Sequence, residues 1–78
     1  MNTLEAKTFV TNVLEKFKDT PDSQEKAVAL NAELEYCFNY FRSIGYTILN
    51  SGGVLVGVTA EYNPLDEKIR PLYCYQGQ

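Results

Sequence analysis

Chemistry at neutral pH needs a nucleophile, a proton carrier or a set of metal ligands, and this chain offers few of each. It has no histidine and two cysteines, Cys37 and Cys74, in 78 residues. Without imidazole, acid–base work falls to carboxylates, lysine, tyrosine or thiol. Glu33 and Glu35 cannot face the same way on a helix, and both read as solvated. Asp66 and Glu67 stand beside Lys68 in a run of turn formers, which accounts for them. Glu61, near Thr59, reads as a solvated residue of an open sheet face. Cys74 lies between Tyr73 and Tyr75, and a thiol there becomes a nucleophile only beside a base or a positive charge. Arg70, on the same expected strand and face, is the nearest candidate. Cys37 falls on an apolar helical seam and reads as core. Zinc needs about four Cys or His ligands, or three with water, so no metal and no cofactor are expected. No catalytic residue is assigned.

Binding chemistry remains. Six Tyr and four Phe, with no Trp, exceed what so small a core calls for. Tyr62, Tyr73 and Tyr75 lie in or next to expected strands, and Tyr offers contact area and a hydroxyl at low entropic cost. The same rings, with Arg42 or Arg70, could stack on a nucleobase. Asn50-Ser51-Gly52-Gly53 has the residues a hairpin turn needs, and glycine-rich backbone can also form an anion-binding nest. It lacks the Lys-Ser/Thr pair of a P-loop and opens no helix. The candidate binding set is therefore Tyr62, Arg70, Tyr73, Tyr75, Asn50, Ser51, Gly52 and Gly53. Tyr36, Tyr40 and Tyr46 are expected to wedge helix against sheet, with their hydroxyls at the surface.

The elements that must position these residues are legible in the apolar spacing. Ala6, Phe9, Val10, Val13, Leu14 and Phe17 share one helical face, which predicts a helix over about 3–18. Asn2 with Glu5 suits a capping box, or Thr3 caps directly, and Lys16 and Lys18 suit the last turn. Thr20 followed by Pro21 reads as a cap and first helical position, which predicts a second helix over about 21–44. Ala27, Leu30, Leu34, Cys37, Phe41 and Ile44 form its seam, and Gly45 closes it in the left-handed conformation. Val28, Tyr36, Phe38 and Tyr40 lie partly off that seam, so apolar surface is left over for a further contact. Strands follow at about 46–50, 54–62 and 69–75, with Pro71 marking an edge. On the middle strand Val54, Val56, Val58 and Ala60 alternate with Leu55, Gly57, Thr59 and Glu61. The expected fold is α+β in one domain, 1–78: an antiparallel helical hairpin on a three-stranded antiparallel meander.

The composition is 45% hydrophobic and 22% charged, ordinary for a globular chain, with a net charge of −3 and a pI near 4.7. A nucleic-acid binder carries a basic stripe because phosphate neutralisation supplies most of its affinity; none is present, so no nucleic acid is expected. No apolar run approaches the roughly 18 residues of a membrane span, and MNTLEAK has no signal-peptide pattern. The chain is expected to be cytoplasmic, no membrane protein, with both cysteines as buried thiols. A small, one-sided sheet with open edges predicts a homo-oligomer, dimer or higher. The leading expectation is a non-enzymatic protein-interaction module with a protein partner. Small acidic domains without motifs are common among phage and mobile-element accessory proteins that inhibit a host factor by occupying a surface. The alternative is a protein that binds or sequesters a small nucleotide-like ligand at a subunit interface.

Overall fold

Ala6, Phe9, Val10 and Val13 recur at helical spacing, and all four are buried. Ala27, Leu30, Leu34 and Phe38 do the same further along. In the computed structural model, which describes residues 2–50 and 53–76, these two stripes lie on one face of a sheet. The elements are β1 (Asn2–Glu5), α1 (Ala6–Glu15), α2 (Gln24–Ser43), β2 (Tyr46–Asn50), β3 (Gly53–Asn63) and β4 (Lys68–Gln76). The strand order is β1-β2-β3-β4; β1 runs parallel to β2, and the remaining pairs are antiparallel.

The chain is thus α+β, but the meander is not its whole sheet. Residues 2–5, read as the start of a helix, form a fourth strand that places Leu4 opposite Ile48. A parallel pair cannot be closed by a tight turn, so everything from residue 6 to 45 is crossover. The helices are two segments of that crossover rather than a self-contained hairpin. α2 packs more extensively on β3 than on α1. Phe9 of α1 joins the two helices, its ring centroid 6.2 Å from Phe38 and 5.9 Å from Phe41. Ile48, Leu55 and Ala60 complete the core from the sheet.

The helix ends differ from the expected ones. Neither Asn2 nor Thr3 caps α1; Glu5 holds the N-cap position without a side-chain cap, because the preceding residues are committed to β1. α1 stops at Glu15, and the chain tightens into i→i−3 bonds from the Lys16, Phe17 and Lys18 amides. Phe17 still packs on the core. Ser23, not Thr20, caps α2 by accepting from the Lys26 amide at 3.1 Å, which leaves Pro21 in the connecting segment. Gly45 has φ of +90°, as its place after the helix demands.

The alternation along β3 also breaks. The register shifts between Leu55 and Gly57, so that Val56 is an extra residue and the strand changes face around it. Leu55 points into the core ahead of the bulge, and Val58 and Ala60 point inward after it. Val54 and Val56 are exposed instead of sharing the face of Val58. Pro71 stands opposite Ala60 on edge strand β4, as its missing amide requires.

Asp22 ties the entry of α2 to β4. Its carboxylate accepts from the Ile69 amide at 3.0 Å and pairs with Lys26 at 2.8 Å. The Lys26 bond first, and the Ile69 amide second, hold this carboxyl below its ordinary value. A depressed carboxyl contributes stability that is present above the unfolded value and is lost as pH falls through the folded one. Asp22→Ala should therefore cost about 1 kcal/mol in urea unfolding at neutral pH. The difference from the parent should shrink once the pH falls below about 3.9. A difference that stays constant down that acid limb would show that the carboxylate charge contributes nothing.

Candidate functional site

The tyrosine set divides between the two ends of the sheet. Tyr75 pairs with Leu55 and packs against the core, so it lies on the helix side rather than on an open outer face. Tyr73, two residues earlier, stacks on it at 5.9 Å with 16° between the planes. Asn50 Nδ2 donates to the Tyr75 hydroxyl at 2.7 Å, joining the hairpin end to this pair. Burial, and then the neighbouring Tyr75, push the Tyr73 hydroxyl above its ordinary value. Gly53 is buried opposite Asn50, and Ser51 and Gly52 lie outside the described residues.

Tyr62 and Arg70 occupy the other end, Tyr62 opposite Ile69 and Arg70 opposite Glu61. From Val58, the partner of Tyr73, to Tyr62 is about 13 Å of strand. Tyr62 and Arg70 border a hollow of about 330 Å³ with Glu61 and Leu72. Arg70 is bound to Asp66, whose carboxyl it holds below the usual range while its own value rises. Arg70 is therefore not beside the stacked tyrosines, and the expected clamp of Tyr62, Arg70, Tyr73 and Tyr75 is not assembled. Of the three expected wedges, Tyr46 meets Phe41 edge-on at 5.3 Å. Tyr36 and Tyr40 face solvent, 70% and 52% exposed, because α2 turns their side away from the sheet.

The sheet has a face without helices. Leu49 pairs with Val54, and Leu72 pairs with Thr59, all on the side opposite Ile48 and Ala60. Val54 is 40% and Leu72 50% exposed. Cys74, expected to be buried, is exposed on the same side, since β4 alternates and its inward positions are taken by Ile69, Pro71, Tyr73 and Tyr75. Thr47, Thr59, Glu61 and Arg70 share this side with them. Sequence alternation alone misassigned Val54; the signal that could have corrected it is Gly57, since an isolated glycine inside a strand marks a bulge.

A groove of about 390 Å³ runs between α2 and β3. On α2 its wall is one stripe, Asn31, Leu34, Glu35, Phe38, Asn39 and Arg42, and on β3 it is residues 56–59. Of these, only Arg42 stood out as a binding group in the sequence. The stripe was legible in principle, because its spacing is helical and its polar members flank Leu34 and Phe38.

A polar cluster joins the two helices on their other side. Lys16 pairs with Glu33, Cys37 Sγ donates to Glu33 at 3.3 Å, and Lys16 Nζ lies 3.9 Å from the same sulfur. Lys16 pulls the Glu33 carboxyl down, and Glu33 in turn raises the Lys16 ammonium. Burial first, and then the bond to Glu33, push the Cys37 thiol up. Cys37 is thus half-buried at the rim of the core, and both cysteines are free.

Among the described residues, no group of three or more Cys, Asp and Glu could hold a metal ion, and no helix is long and apolar enough to cross a membrane. No family model matches the chain, and neither the curated proteins nor the solved structures contain a detectable relative.

The two thiols should separate by reactivity. With iodoacetamide near neutral pH, Cys74 should be alkylated at least tenfold faster than Cys37, and Glu33→Gln should speed Cys37 without changing Cys74. Peptide mapping of a time course reads both rates. Equal rates in the parent protein would show that burial and Glu33 do not suppress the Cys37 thiolate.

Proposed function

We propose that this chain is a small, non-enzymatic protein-interaction module that self-associates through the helix-free face of its sheet. The observation that carries the reading is the make-up of that face. An antiparallel sheet can leave one side to water if its outward positions are polar. Here Leu49, Val54, Leu72 and Cys74 stand on that side among threonines, Glu61 and Arg70. Exposed apolar groups interspersed with polar ones on an uncovered face are what protein interfaces are made of.

Size supports a second copy as the occupant. The longest dimensions are 39 and 24 Å, and the shortest, 15 Å, is one helix layer on one sheet layer. A face bounded by the longer two can supply the roughly 800 Å² per partner that a stable complex buries. Two copies joined face to face would each cover the exposed apolar residues of the other's bare side, and the exposed helix row of Val28, Tyr36 and Tyr40 would remain outward. The stacked tyrosines, set apart from Arg70, lend no support to nucleotide sequestration.

Leu72→Glu places a charge among the exposed apolar residues of this face while leaving the core untouched. Native mass spectrometry should find the parent as a dimer or higher assembly at micromolar concentration and the variant as a monomer. The thermal midpoint of the dissociated variant should then become independent of concentration. A parent chain that is monomeric throughout, or a variant that assembles normally, would overturn the self-association reading.

A further inference from the structure

The groove beside α2 is bounded on one side by consecutive residues, 56–59, of β3. Side chains alternate across a strand, so a single face cannot supply four residues in a row. It is the edge of the strand, its backbone, that opens into the groove. The pairing explains why. Among the described residues, β2 pairs with β3 at Leu49–Val54 and Asn50–Gly53, just ahead of the bulge at Val56, and no pairing with β2 continues past it.

One position on this edge is already filled, and it shows what the edge accepts. Asn31 Nδ2 donates to the Ala60 carbonyl at 3.0 Å, and the Ala60 amide donates to Asn31 Oδ1 at 2.7 Å. A side-chain amide there makes the paired bonds that the peptide group of a neighbouring strand would make. Val58, two residues back and inward like Ala60, turns its N–H and C=O to the same edge. Further along the stripe lies Arg42, its guanidinium 5.7 Å from the Phe38 ring centroid and without a carboxylate partner among the described residues. From Asn31 to Arg42 the helix spans about 16 Å, room for four or five extended residues.

We infer that the β3 edge is a docking site for an extended segment of a partner protein, which adds as a strand beside α2 and sets an acidic side chain against Arg42. Val58 supplies main-chain bonds in both directions, the Phe38 ring lines the groove beneath the Arg42 guanidinium, and Arg42 selects for negative charge. This site does not depend on the self-association face, which lies on the opposite side of the sheet.

The test pans a random display library of short linear peptides on the full chain. The enriched peptides are then synthesised and titrated into isotope-labelled protein. Enriched sequences should carry Asp or Glu, and they should shift the amides of residues 56–59. N-methylation at alternate peptide amides should weaken binding about tenfold, and methylation at the intervening amides should not. Arg42→Glu should weaken acidic peptides by a similar factor at an unchanged thermal midpoint, whereas Leu72→Glu should leave them unaffected even where it dissolves the assembly.

Several results would overturn the inference. No enrichment, indifference to N-methylation, or shifts confined to the outer face would each do so. Concentration-dependent shifts at residues 56–59 without peptide would assign the edge to a second copy instead. Because peptide binding and assembly are read on different variants, failure of one leaves the other standing.

Discussion

The parallel pairing of β1 with β2 is the constraint on which the rest of the molecule depends. Two adjacent parallel strands cannot be joined by a hairpin, so the connection must leave the sheet, cross it and return. Here the connection contains both helices, which consequently lie on one face. The core follows: Phe9 and Val13 from α1, Leu30, Leu34 and Phe38 from α2, and Ile48, Leu55 and Ala60 from the sheet. So does the bareness of the other face, since no segment is left to cover it among the described residues. A chain of this size buries only a modest share of its surface, and here that economy is concentrated in a single layer contact.

The bulge at Val56 is the second determinant. It turns the strand so that Leu55 and Ala60 both reach the core although their sequence separation is odd. The same rotation exposes Val54 on the outer face, and among the described residues no pairing of β3 with β2 continues past the bulge. One extra residue therefore shapes both surfaces: it sets Val54 on the sheet's bare side and lies at the start of the edge beside α2. Asn31 closes the end of that edge next to Ala60, so the unpaired stretch is short. Pro71 on the opposite edge donates nothing outward, which discourages pairing there.

Charge plays a local part. No polar or charged residue is buried among those described, and each resolved shift traces to a surface pair or to partial burial. Asp22 with Lys26, Lys16 with Glu33, and Asp66 with Arg70 each join neighbouring segments at the surface. Exposed pairs of this kind are worth little individually. Their value here is positional: Asp22 also holds the Ile69 amide, and Glu33 also holds the Cys37 thiol.

The sequence by itself determined the α+β class, both helices, the three antiparallel strands and the edge position of Pro71. Each of these is written in local spacing: period 3.6 in Ala6–Phe9–Val13 and Leu30–Leu34–Phe38, Gly45 at a helix end, proline in a strand. It also carried the shortage of catalytic groups, which composition alone displays. Only the tertiary structure decided the fate of residues 2–5, because a four-residue strand has no period to read and Leu4 finds its place only opposite Ile48, more than forty positions away. It alone separated Tyr62 and Arg70 from Tyr73 and Tyr75, since distance along paired strands depends on register. It alone moved the N-cap from Thr20 to Ser23, and it set the face of every residue around Val56. A bulge changes the phase of alternation without leaving a period of its own, and so the two surfaces most suited to binding are products of pairing that local sequence does not encode.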